Sequence, residues 1–502
     1  MIKTRTQRAY KKRWIEVPAV LALASSLLAC GSGDSDSNNG SNDVPTVNLL
    51  NVSSSPLRQS GAQQVERLIK NGIYAQSIAQ MPVPPSTPND LAVPSNNNFS
   101  TTNIIEQGVD ESDRIKYDGN YMYIAEQSNI SAVELIKPKV RILKRNPDFT
   151  LETSAKIESS LDFNRTNGIY LHQNTLAMLG KSEQVYTLGS LQNDAPWIDF
   201  TEKVALSVFN VSNPAQPTET TAIEIEGVML GTRRIGDDLY IISGYLPSVT
   251  TISPGASSDE IKLANYAAIN NTPISQLMPK IYQDGQSRNL NNPEDCYIPA
   301  EARSSDGYAR LINVTKINLL APTNIESLCL SSLASLVYVS PNNLYLASDV
   351  NAASTHFHKV SLSNLDYAAS GSVAGQMGWR ANPLFRLSEN DGKLRVVTTD
   401  YNGLDPLHRL FVLEQDGADL NTVAELPNNA APDPIGKPRE DIYAVRFIDE
   451  KAYIVTFEQI DPLYVVNLSD PRNPFIEGAL EIPGFSSYIH PMENGFLLGV
   501  GQ

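Results

Sequence analysis

The sequence Asp118-Gly-Asn followed by Tyr121-Met-Tyr-Ile-Ala decides the fold, because a phrase of the same kind returns along the chain. Each copy has a polar reverse-turn signal and then an apolar strand that ends in a small residue. With this one there are about seven copies, and the others begin at Gln173, Gly236, Pro341, Asn390, Asp449 and Glu493. A strand-and-turn unit cannot bury its own faces, so repeated units must stack against one another.

The spacing of these phrases indicates the architecture. They follow one another at roughly 45 to 65 residues, as expected for units of four strands each. Beyond residue 101, apolar segments rich in Val, Ile, Leu and Tyr alternate with clusters of Asn, Asp, Gly and Pro, a pattern typical of strands and turns. We therefore predict an all-β domain over residues 101–502, a β-propeller of about seven blades with six or eight as alternatives.

One gap between the phrases is longer than the rest. It runs from Gly236 to Pro341 and spans about 105 residues, which indicates an insertion around residues 250–305. Loop-like sequence lies on both sides of residues 261–278, which are compatible with a helix. We expect the insertion to lie on one face of the domain.

Two further strands share a turn sequence. Leu206-Ser-Val-Phe-Asn-Val-Ser-Asn-Pro and Tyr464-Val-Val-Asn-Leu-Ser-Asp-Pro both place Asn or Asp before a proline. Proline removes a donor from the strand ladder, and the side chains of Asn213 and Asp470 can accept N–H groups within a turn. We expect both sequences to end a strand.

The first 29 residues have the pattern of an export signal, with a basic head and an apolar run at 17–29 that is short for a membrane span. Leu27-Leu28-Ala29-Cys30 resembles the bacterial lipoprotein lipobox, whose cysteine is diacylated; the alternative is an ordinary signal peptide with an incidental cysteine. Residues 30–59 are predicted to be a flexible tether. We expect a lipid-anchored, extracytoplasmic protein of the cell envelope. Gly31 favours the outer membrane if the cell has two membranes.

Residues 60–80 are predicted to form one amphipathic helix ahead of the β domain. Val65, Leu68, Ile69 and Ile73 recur at helical spacing, and Gly72 is a weak position because glycine disfavours helix. Residues 81–100 contain five prolines and should form a linker or an extended arm that lies on the domain.

The charge balance limits the partners. The whole chain carries a net charge of −16, and removing the +5 of residues 1–29 leaves −21. Nucleic acids and anionic membrane surfaces need clustered cations, so neither is expected as a partner. Divalent cations, or a basic protein, remain compatible with this charge.

The chain has three cysteines. If Cys30 is lipidated, Cys296 and Cys329 remain as a pair in an oxidising compartment, which favours a disulfide. The alternative is two buried free thiols, and a zinc site is disfavoured because no C-x-x-C sequence is present.

Three stretches resemble a family of secreted bacterial and archaeal proteins: residues 102–123, residues 443–471 with 482–491, and, more loosely, residues 371–375 with 394–399. Its members have a C-terminal β-propeller domain distantly similar to WD40 repeats. The resemblance covers about residues 100–502 and implies a fold and an exported location, but no established reaction. Family members usually continue past the Tyr488-Ile-His-Pro segment. We therefore expect a C-terminally truncated domain with an incomplete blade and an exposed edge.

The acidic sequence Asp110-Glu111-x-Asp113 is the first candidate site. Three carboxylates within four residues offer oxygen ligands to calcium. The alternative is that the carboxylates order a turn and pair with a cation, Arg114 or Lys116. Calcium is the metal that this cluster would bind, and no other cofactor is expected.

Two further patterns are weaker. His356 and His358 alternate on a predicted strand, so their imidazoles share a face and can chelate a metal, but no third ligand is apparent. The chain has 21 tyrosines, many of them in the repeated strands. Packing between blades accounts for those tyrosines, with carbohydrate stacking as the alternative.

No catalytic motif is present: neither G-x-S-x-G nor H-E-x-x-H nor a phosphate-binding loop occurs. The favoured hypothesis is a binding or scaffolding module that contacts a protein or glycan partner through rim loops or the insertion. The alternative is an extracytoplasmic glycan hydrolase or lyase. Such an enzyme needs two or three inward carboxylates about 5 to 9 Å apart at the channel mouth.

Overall fold

The computed structural model describes residues 43–50, 55–78, 104–126, 139–162, 165–182, 202–350, 353–378, 382–401, 403, 405–457, 461–482, 486–492 and 495–501. The predicted export signal, the lipidation site Cys30 and the proline-rich linker at 81–100 lie outside these ranges. Of the helices within them, none has both the length and the apolar content needed to cross a bilayer.

The described part of the chain starts with two short strands and a helix, followed by antiparallel sheets that we number as units. The first elements are β1 (Asn48–Leu49), β2 (Leu57–Gln59) and α1 (Ala62–Ile78). Unit 1 contains β3 (Ile115–Tyr117), β4 (Tyr121–Glu126), β5 (Lys139–Arg145) and β6 (Leu151–Glu158). Unit 2 contains β7 (Arg165–His172), β8 (Thr175–Ser182), β9 (Lys203–Asn210) and β10 (Thr218–Glu226).

Unit 3 is interrupted by the insertion. It starts with β11 (Val228–Ile235) and β12 (Asp238–Tyr245). The insertion then contributes α2 (Asp259–Asn271), α3 (Ile274–Leu277), β13 (Lys280–Gln283), β14 (Gln286–Asn289), a 3₁₀ turn (Pro293–Asp295), β15 (Cys296–Pro299) and β16 (Asp306–Gly307). Unit 3 is completed by β17 (Leu311–Asn318) and β18 (Ile325–Leu330). The insertion thus joins the second strand of unit 3 to its third.

The remaining units follow without long interruptions. Unit 4 contains β19 (Leu336–Val339), β20 (Asn343–Val350), β21 (Ser354–Ser361) and β22 (Asp366–Ala374). After a 3₁₀ turn (Pro383–Arg386), unit 5 contains β23 (Leu387–Asn390), β24 (Lys393–Asp400), β25 (Leu407–Asp416) and β26 (Asp419–Leu426). Unit 6 contains β27 (Asp441–Ile448), β28 (Lys451–Phe457), β29 (Asp461–Asn467) and β30 (Phe475–Ile482). Unit 7 is the hairpin of β31 (Ser486–Pro491) and β32 (Leu497–Gly501).

The first six copies of the repeated phrase each form the turn between the first and second strands of a unit, together with that second strand. The turn of unit 5 shows why: Asp391 and Gly392 have φ of 49° and 73°. Two consecutive residues with positive φ match the twist of the strands that they join, and Asp and Gly tolerate this conformation. The third strands of units 2 and 6 end three residues before Asn213 and Asp470. The side chains of these two residues order the following turn, because each accepts the N–H of the residue two positions later.

Both faces of the sheets in units 2 to 6 are buried, because one apolar cluster lies between each pair of consecutive units from unit 1 to unit 7. In β20, Leu344 and Leu346 pack toward unit 3, whereas Tyr345 and Ala347 pack toward unit 5. The strands therefore read as continuous apolar runs rather than as a strict alternation with polar residues.

Helix α1 and the insertion share a core of their own, and we call α1 together with residues 246–310 the accessory module. Val65, Leu68 and Ile69 of α1 are buried in one cluster with Ile269 and Met278 of the insertion. This burial explains the apolar face predicted for residues 60–80.

The glycine of α1 has a packing role that the sequence did not indicate. A Cβ on Gly72 would lie 2.5 Å from backbone atoms of Tyr308 and Ala309, and a Cβ on Gly307 would lie 2.5 Å from the backbone of Asn71 and Gly72. The two glycines therefore allow a helix and a strand to approach backbone to backbone, and Leu68 O accepts the Tyr308 N–H at 2.9 Å.

The accessory module is joined covalently to unit 3. Cys296 on β15 and Cys329 on β18 lie opposite each other in a parallel pair and form a disulfide. This is the pairing that the cysteine count favoured.

The described part of the predicted tether, residues 30–59, differs from the expectation. Strand β1 pairs with β16, and β2 pairs with β15. Leu57 is only 7% exposed, and Val44, Val47 and Leu50 pack against the core of the accessory module. The strands that pair with β1 and β2 lie in the insertion, about 250 residues away, and local composition does not indicate such partners.

Candidate functional site

Residues 104–113, which we call the crossing segment, contact the first strands of several units. Arg446 of unit 6 donates to Ile104 O at 2.9 Å, and Tyr338 of unit 4 donates to Glu106 Oε1 at 2.5 Å. The backbones of Asp110 and Asp113 bridge to Arg234 of unit 3 and Ile169 of unit 2. Because first strands of units that are not neighbours meet on ten residues, the sheets surround a central axis. This is the arrangement of a β-propeller.

The candidate calcium ligands lie in this segment. Asp110 pairs with Lys116 at 2.8 Å and with Arg234 at 3.1 Å, and Glu111 pairs with Arg233 at 3.5 Å. Asp113 Oδ1 accepts the backbone N–H of Arg114. In the described ranges, no group of three or more His, Cys, Asp or Glu side chains is arranged to hold a metal. The geometry favours the alternative of cation pairing, with Lys116 and two arginines that the sequence did not indicate.

Glu106 is a further acidic residue of the crossing segment, and the sequence patterns did not single it out. Burial raises the pKa of Glu106, although the Tyr338 hydroxyl and the guanidinium groups of Arg395 and Arg446 favour its charged form. The cavity beside it is lined by Ile105, Glu106, Phe385, Leu387, Arg446 and Phe447. Its volume of about 10 Å³ has room for about one water molecule.

The two histidines of β21 face unit 3 and are buried, with 2% and 1% of their surfaces exposed. Their rings lie 4.7 Å apart, and their Nδ1 atoms contact Ser372 Oγ and Tyr367 OH. Burial lowers the pKa of His356 to about 4 and that of His358 to about 3, where the neighbouring imidazole adds to the shift. The structure therefore confirms that His356 and His358 share a face, but it places no third ligand beside them within the described residues.

A third polar cluster joins units 5 and 6. Thr399 Oγ1 and His408 Nδ1 are 3.0 Å apart, and His408 Nε2 lies 2.9 Å from Glu440 O. Because a carbonyl oxygen only accepts, Nε2 carries the proton and Nδ1 accepts the Thr399 hydroxyl. A hydroxyl, an imidazole and an orienting acceptor also form a nucleophilic site in hydrolases. Here Thr399, His408 and the adjacent Arg386 are at most 1% exposed, so the cluster supports packing rather than catalysis.

The tyrosines of the repeated strands occupy the sheet interfaces. Tyr123, Tyr240 and Tyr345 are at most 4% exposed, and each belongs to an apolar cluster between two units. This burial agrees with the interpretation that the repeated tyrosines pack between blades. Carbohydrate stacking on other tyrosines stays a hypothesis.

The larger of two cavities lies in the accessory module and has a volume of about 170 Å³. It is lined by Gln64, Arg67, Leu68, Ile298, Ala302, Arg303 and Ser304. Sequence patterns missed this cavity, because its two walls are more than 200 residues apart. No local motif joins them.

Comparison with protein families gives the identity of the domain. The family model described as Beta propeller domain matches residues 99–502. The chain belongs to this β-propeller family. The match includes the crossing segment, so the segment that joins the first strands of several units is part of the family domain.

Two relatives of the propeller come from archaea. An uncharacterized protein of Methanocaldococcus jannaschii is 26% identical over 546 residues, which cover 96% of this chain and 78% of the relative. An uncharacterized protein of Archaeoglobus fulgidus is 41% identical over 149 residues, which cover 30% of this chain and 21% of the relative. Neither name assigns an activity.

Solved structures with a similar backbone trace include peptidases. A structure from an analysis of two prolyl endopeptidases has a TM-score of 0.31 and 10% identity, covering 78% of this propeller chain and 44% of that chain. The β-propeller domain of the Trilobed protease from Pyrococcus furiosus has a TM-score of 0.24 and 9% identity, covering 64% and 87%. Both scores are too low to carry an argument about activity.

Proposed function

We propose that this propeller is a lipid-anchored, extracytoplasmic binding module rather than an enzyme. The observation that carries the proposal is the crossing segment. It fills the centre of the propeller with residues of the chain itself, and the carboxylates of Asp110 and Glu111 are paired with cations. A glycan hydrolase or lyase needs two or three free inward carboxylates at that place.

The accessory module is the part of the protein where we place the binding surface. In propeller proteins the sheets form a rigid scaffold, and loops or insertions on the scaffold carry recognition. Residues 246–310 form the one long insertion among the described units, and its cavity of about 170 Å³ is larger than the one beside Glu106. We therefore propose that a protein, glycan or smaller ligand binds at the accessory module.

The location rests on the N-terminal sequence. A basic head, an apolar run and Leu27-Leu28-Ala29-Cys30 have the order of a lipoprotein signal. Two acyl chains on Cys30 would hold the protein stably at a membrane surface, because each buried methylene contributes about 0.8 kcal/mol. The outer membrane is the proposed site if the cell has two membranes.

The anchor is tested by Cys30→Ser in the full chain. We expect the variant to move from the membrane fraction to the soluble extracytoplasmic fraction, because a serine cannot form the thioether that carries the lipid. Ser32→Ala, two residues away, is the matched control and should stay with the membrane. Equal membrane association of both variants would contradict the proposed anchor.

The absence of catalysis is tested at Glu106, the described carboxylate of the channel with the raised pKa. We expect no turnover in a panel of glycan hydrolase and lyase substrates, for the wild type or for Glu106→Gln. Turnover by the wild type that Glu106→Gln abolishes at an unchanged melting temperature would establish the enzyme alternative instead.

A further inference from the structure

The cavity of the accessory module has two walls from distant parts of the chain. Gln64, Arg67 and Leu68 of α1 form one wall. The other wall is β15 and the loop after it, through Ile298, Ala302, Arg303 and Ser304. Leu68 and Ile298 are each 2% exposed. The cavity thus has an apolar floor with polar and cationic groups around it.

The two arginines of this cavity differ from most basic residues of the propeller. Arg67 and Arg303 are exposed, and within the described residues neither guanidinium takes part in an ion pair or hydrogen bond. By contrast, Arg233 and Arg234 pair with carboxylates of the crossing segment. Unpaired guanidinium groups beside a concave surface of an acidic chain are available to an anion from solution.

A third cation lies next to the cavity. Arg58 Nη1 is 3.2 Å from Oε1 of the lining residue Gln64, and it also donates to Ser60 Oγ at 2.7 Å. The nearby acids have other partners: Glu66 pairs with Lys70 at 2.6 Å, and Glu301 accepts the Ser55 hydroxyl.

The frame that presents Arg67 and Arg303 is held from both sides. The Asn71 amide donates to Ser304 O and Asp306 O, both at 3.0 Å, and Asp306 Oδ2 accepts the Arg303 N–H at 2.8 Å. The close approach of Gly72 and Gly307 fixes the same loop against α1. These contacts fix the backbone that carries the two arginines, so a bound ligand has to order only their side chains and not the loop.

We propose that this cavity binds a small organic anion that carries carboxylate or phosphate groups. This proposal rests on the proposed binding function and names its ligand class. Arg67 and Arg303 would hold the anionic groups, Gln64 and Ser304 would donate hydrogen bonds, and the carbon skeleton would lie on Leu68 and Ile298. A volume of about 170 Å³ suits a small di- or tricarboxylate or a phosphate ester rather than a polymer.

The test is isothermal titration calorimetry of the purified full chain with citrate, with inorganic phosphate and with uncharged glycerol. We expect saturable binding of citrate, of phosphate or of both, and none of glycerol. The anion that binds identifies carboxylate or phosphate as the preferred group. Arg67→Gln and Arg303→Gln should each weaken binding about tenfold, because a charge-assisted hydrogen bond is lost in each.

The matched control is Arg288→Gln, an exposed arginine on the β14 strand of the same insertion and outside the cavity lining. We expect it to bind as the wild type does. Absence of saturable heat with both anions at about 10 mM, a concentration that reveals even millimolar affinity, would overturn the proposal. So would equal affinity in the double variant Arg67→Gln/Arg303→Gln. Either failure leaves the Cys30-dependent anchoring and the lack of turnover unaffected, so it is distinguishable from failure of the proposed function.

Discussion

The repeated units and the accessory module are stabilised in different ways. Each unit has a turn, a second strand and an interface with the next unit, and these parts recur at a regular spacing in the sequence. The accessory module instead brings Val65 and Ile69 of α1 together with Ile269, Met278 and Cys296. Local repetition thus encodes the ring, whereas single long-range contacts encode the module that is proposed to bind a ligand.

Acidification should produce the largest difference in stability between the ring and the accessory module. Burial lowers the pKa of His356 to about 4, of His358 to about 3 and of His408 to about 4. All three lie in units 4 and 5, and the accessory module contains no histidine. In the unfolded chain the three histidines bind protons near pH 6.5, whereas in the folded ring they stay neutral at that pH. Their contribution to stability is therefore fully present above pH 6.5 and is lost as the pH falls toward 4.

The free energy of unfolding should fall by about 1.4 kcal/mol per pH unit for each histidine. For the three histidines together the expected fall is about 4 kcal/mol per pH unit. Urea unfolding at pH 6.5, 5.5 and 4.5 measures it. The variant His356→Gln/His358→Gln should show a shallower pH dependence, whatever its stability at pH 7. Equal slopes in the variant and the wild type would contradict the assignment of the loss to these residues.

Removing the disulfide should weaken the module next. Cys296→Ala/Cys329→Ala opens a loop with a sequence separation of 33 residues, and we expect the free energy of unfolding to fall by about 3 to 4 kcal/mol. Hydrogen exchange should accelerate in α1 and β15 and stay unchanged in units 5 and 6. The reduced wild type is the control and should match the double variant. Acceleration centred on units 5 and 6 would show that the disulfide supports the ring.

A methyl group at the helix–strand contact should have a somewhat smaller effect. Gly72→Ala raises helix propensity, but its Cβ meets backbone atoms at 2.5 Å. We expect a net destabilisation of about 1 to 3 kcal/mol, because overpacking outweighs propensity. Gly61→Ala, where no atom lies within 4 Å of the new Cβ, is the matched control for thermal unfolding. A Gly72→Ala variant as stable as the wild type would mean that the close approach is not maintained in solution.

The smallest effect is expected at a turn of the ring. Gly392→Ala must adopt a φ near 73°, and we expect a loss of about 1 kcal/mol because a Cβ is strained there. Gly478→Ala lies on β30 with open space around it and should change the melting temperature little. If the two variants behave alike, backbone conformation is not what selects glycine in the repeated turn.

The sequence predicted the features that depend on neighbouring residues. Short patterns indicated the turns at Asp391 and Asp449, the turns at Asn213 and Asp470 that follow two third strands, and the apolar face of α1. It did not predict the arginines that meet Asp110 and Glu111, because Arg233 and Arg234 lie more than 100 residues away. Asp110 therefore looks the same in the sequence whether it binds calcium or an arginine.

The cavity of the accessory module was unpredictable for the same reason. Arg67 belongs to an ordinary amphipathic helix, and Arg303 lies in a loop without a motif. They become a site only because Asn71, Gly72 and Gly307 bring the helix and the loop together. The number of blades also remains a prediction, since the described residues contain six four-stranded units and one hairpin.

The central claim is that recognition occurs at the accessory module and not in the channel of the propeller. Hydrogen exchange of the full chain with and without citrate or phosphate tests it most directly, because bound segments exchange more slowly. We predict slower exchange in residues 58–68 and 298–306, lost in Arg67→Gln/Arg303→Gln and kept in Arg288→Gln. Protection confined to residues 104–113 and the first strands of the units would contradict the claim.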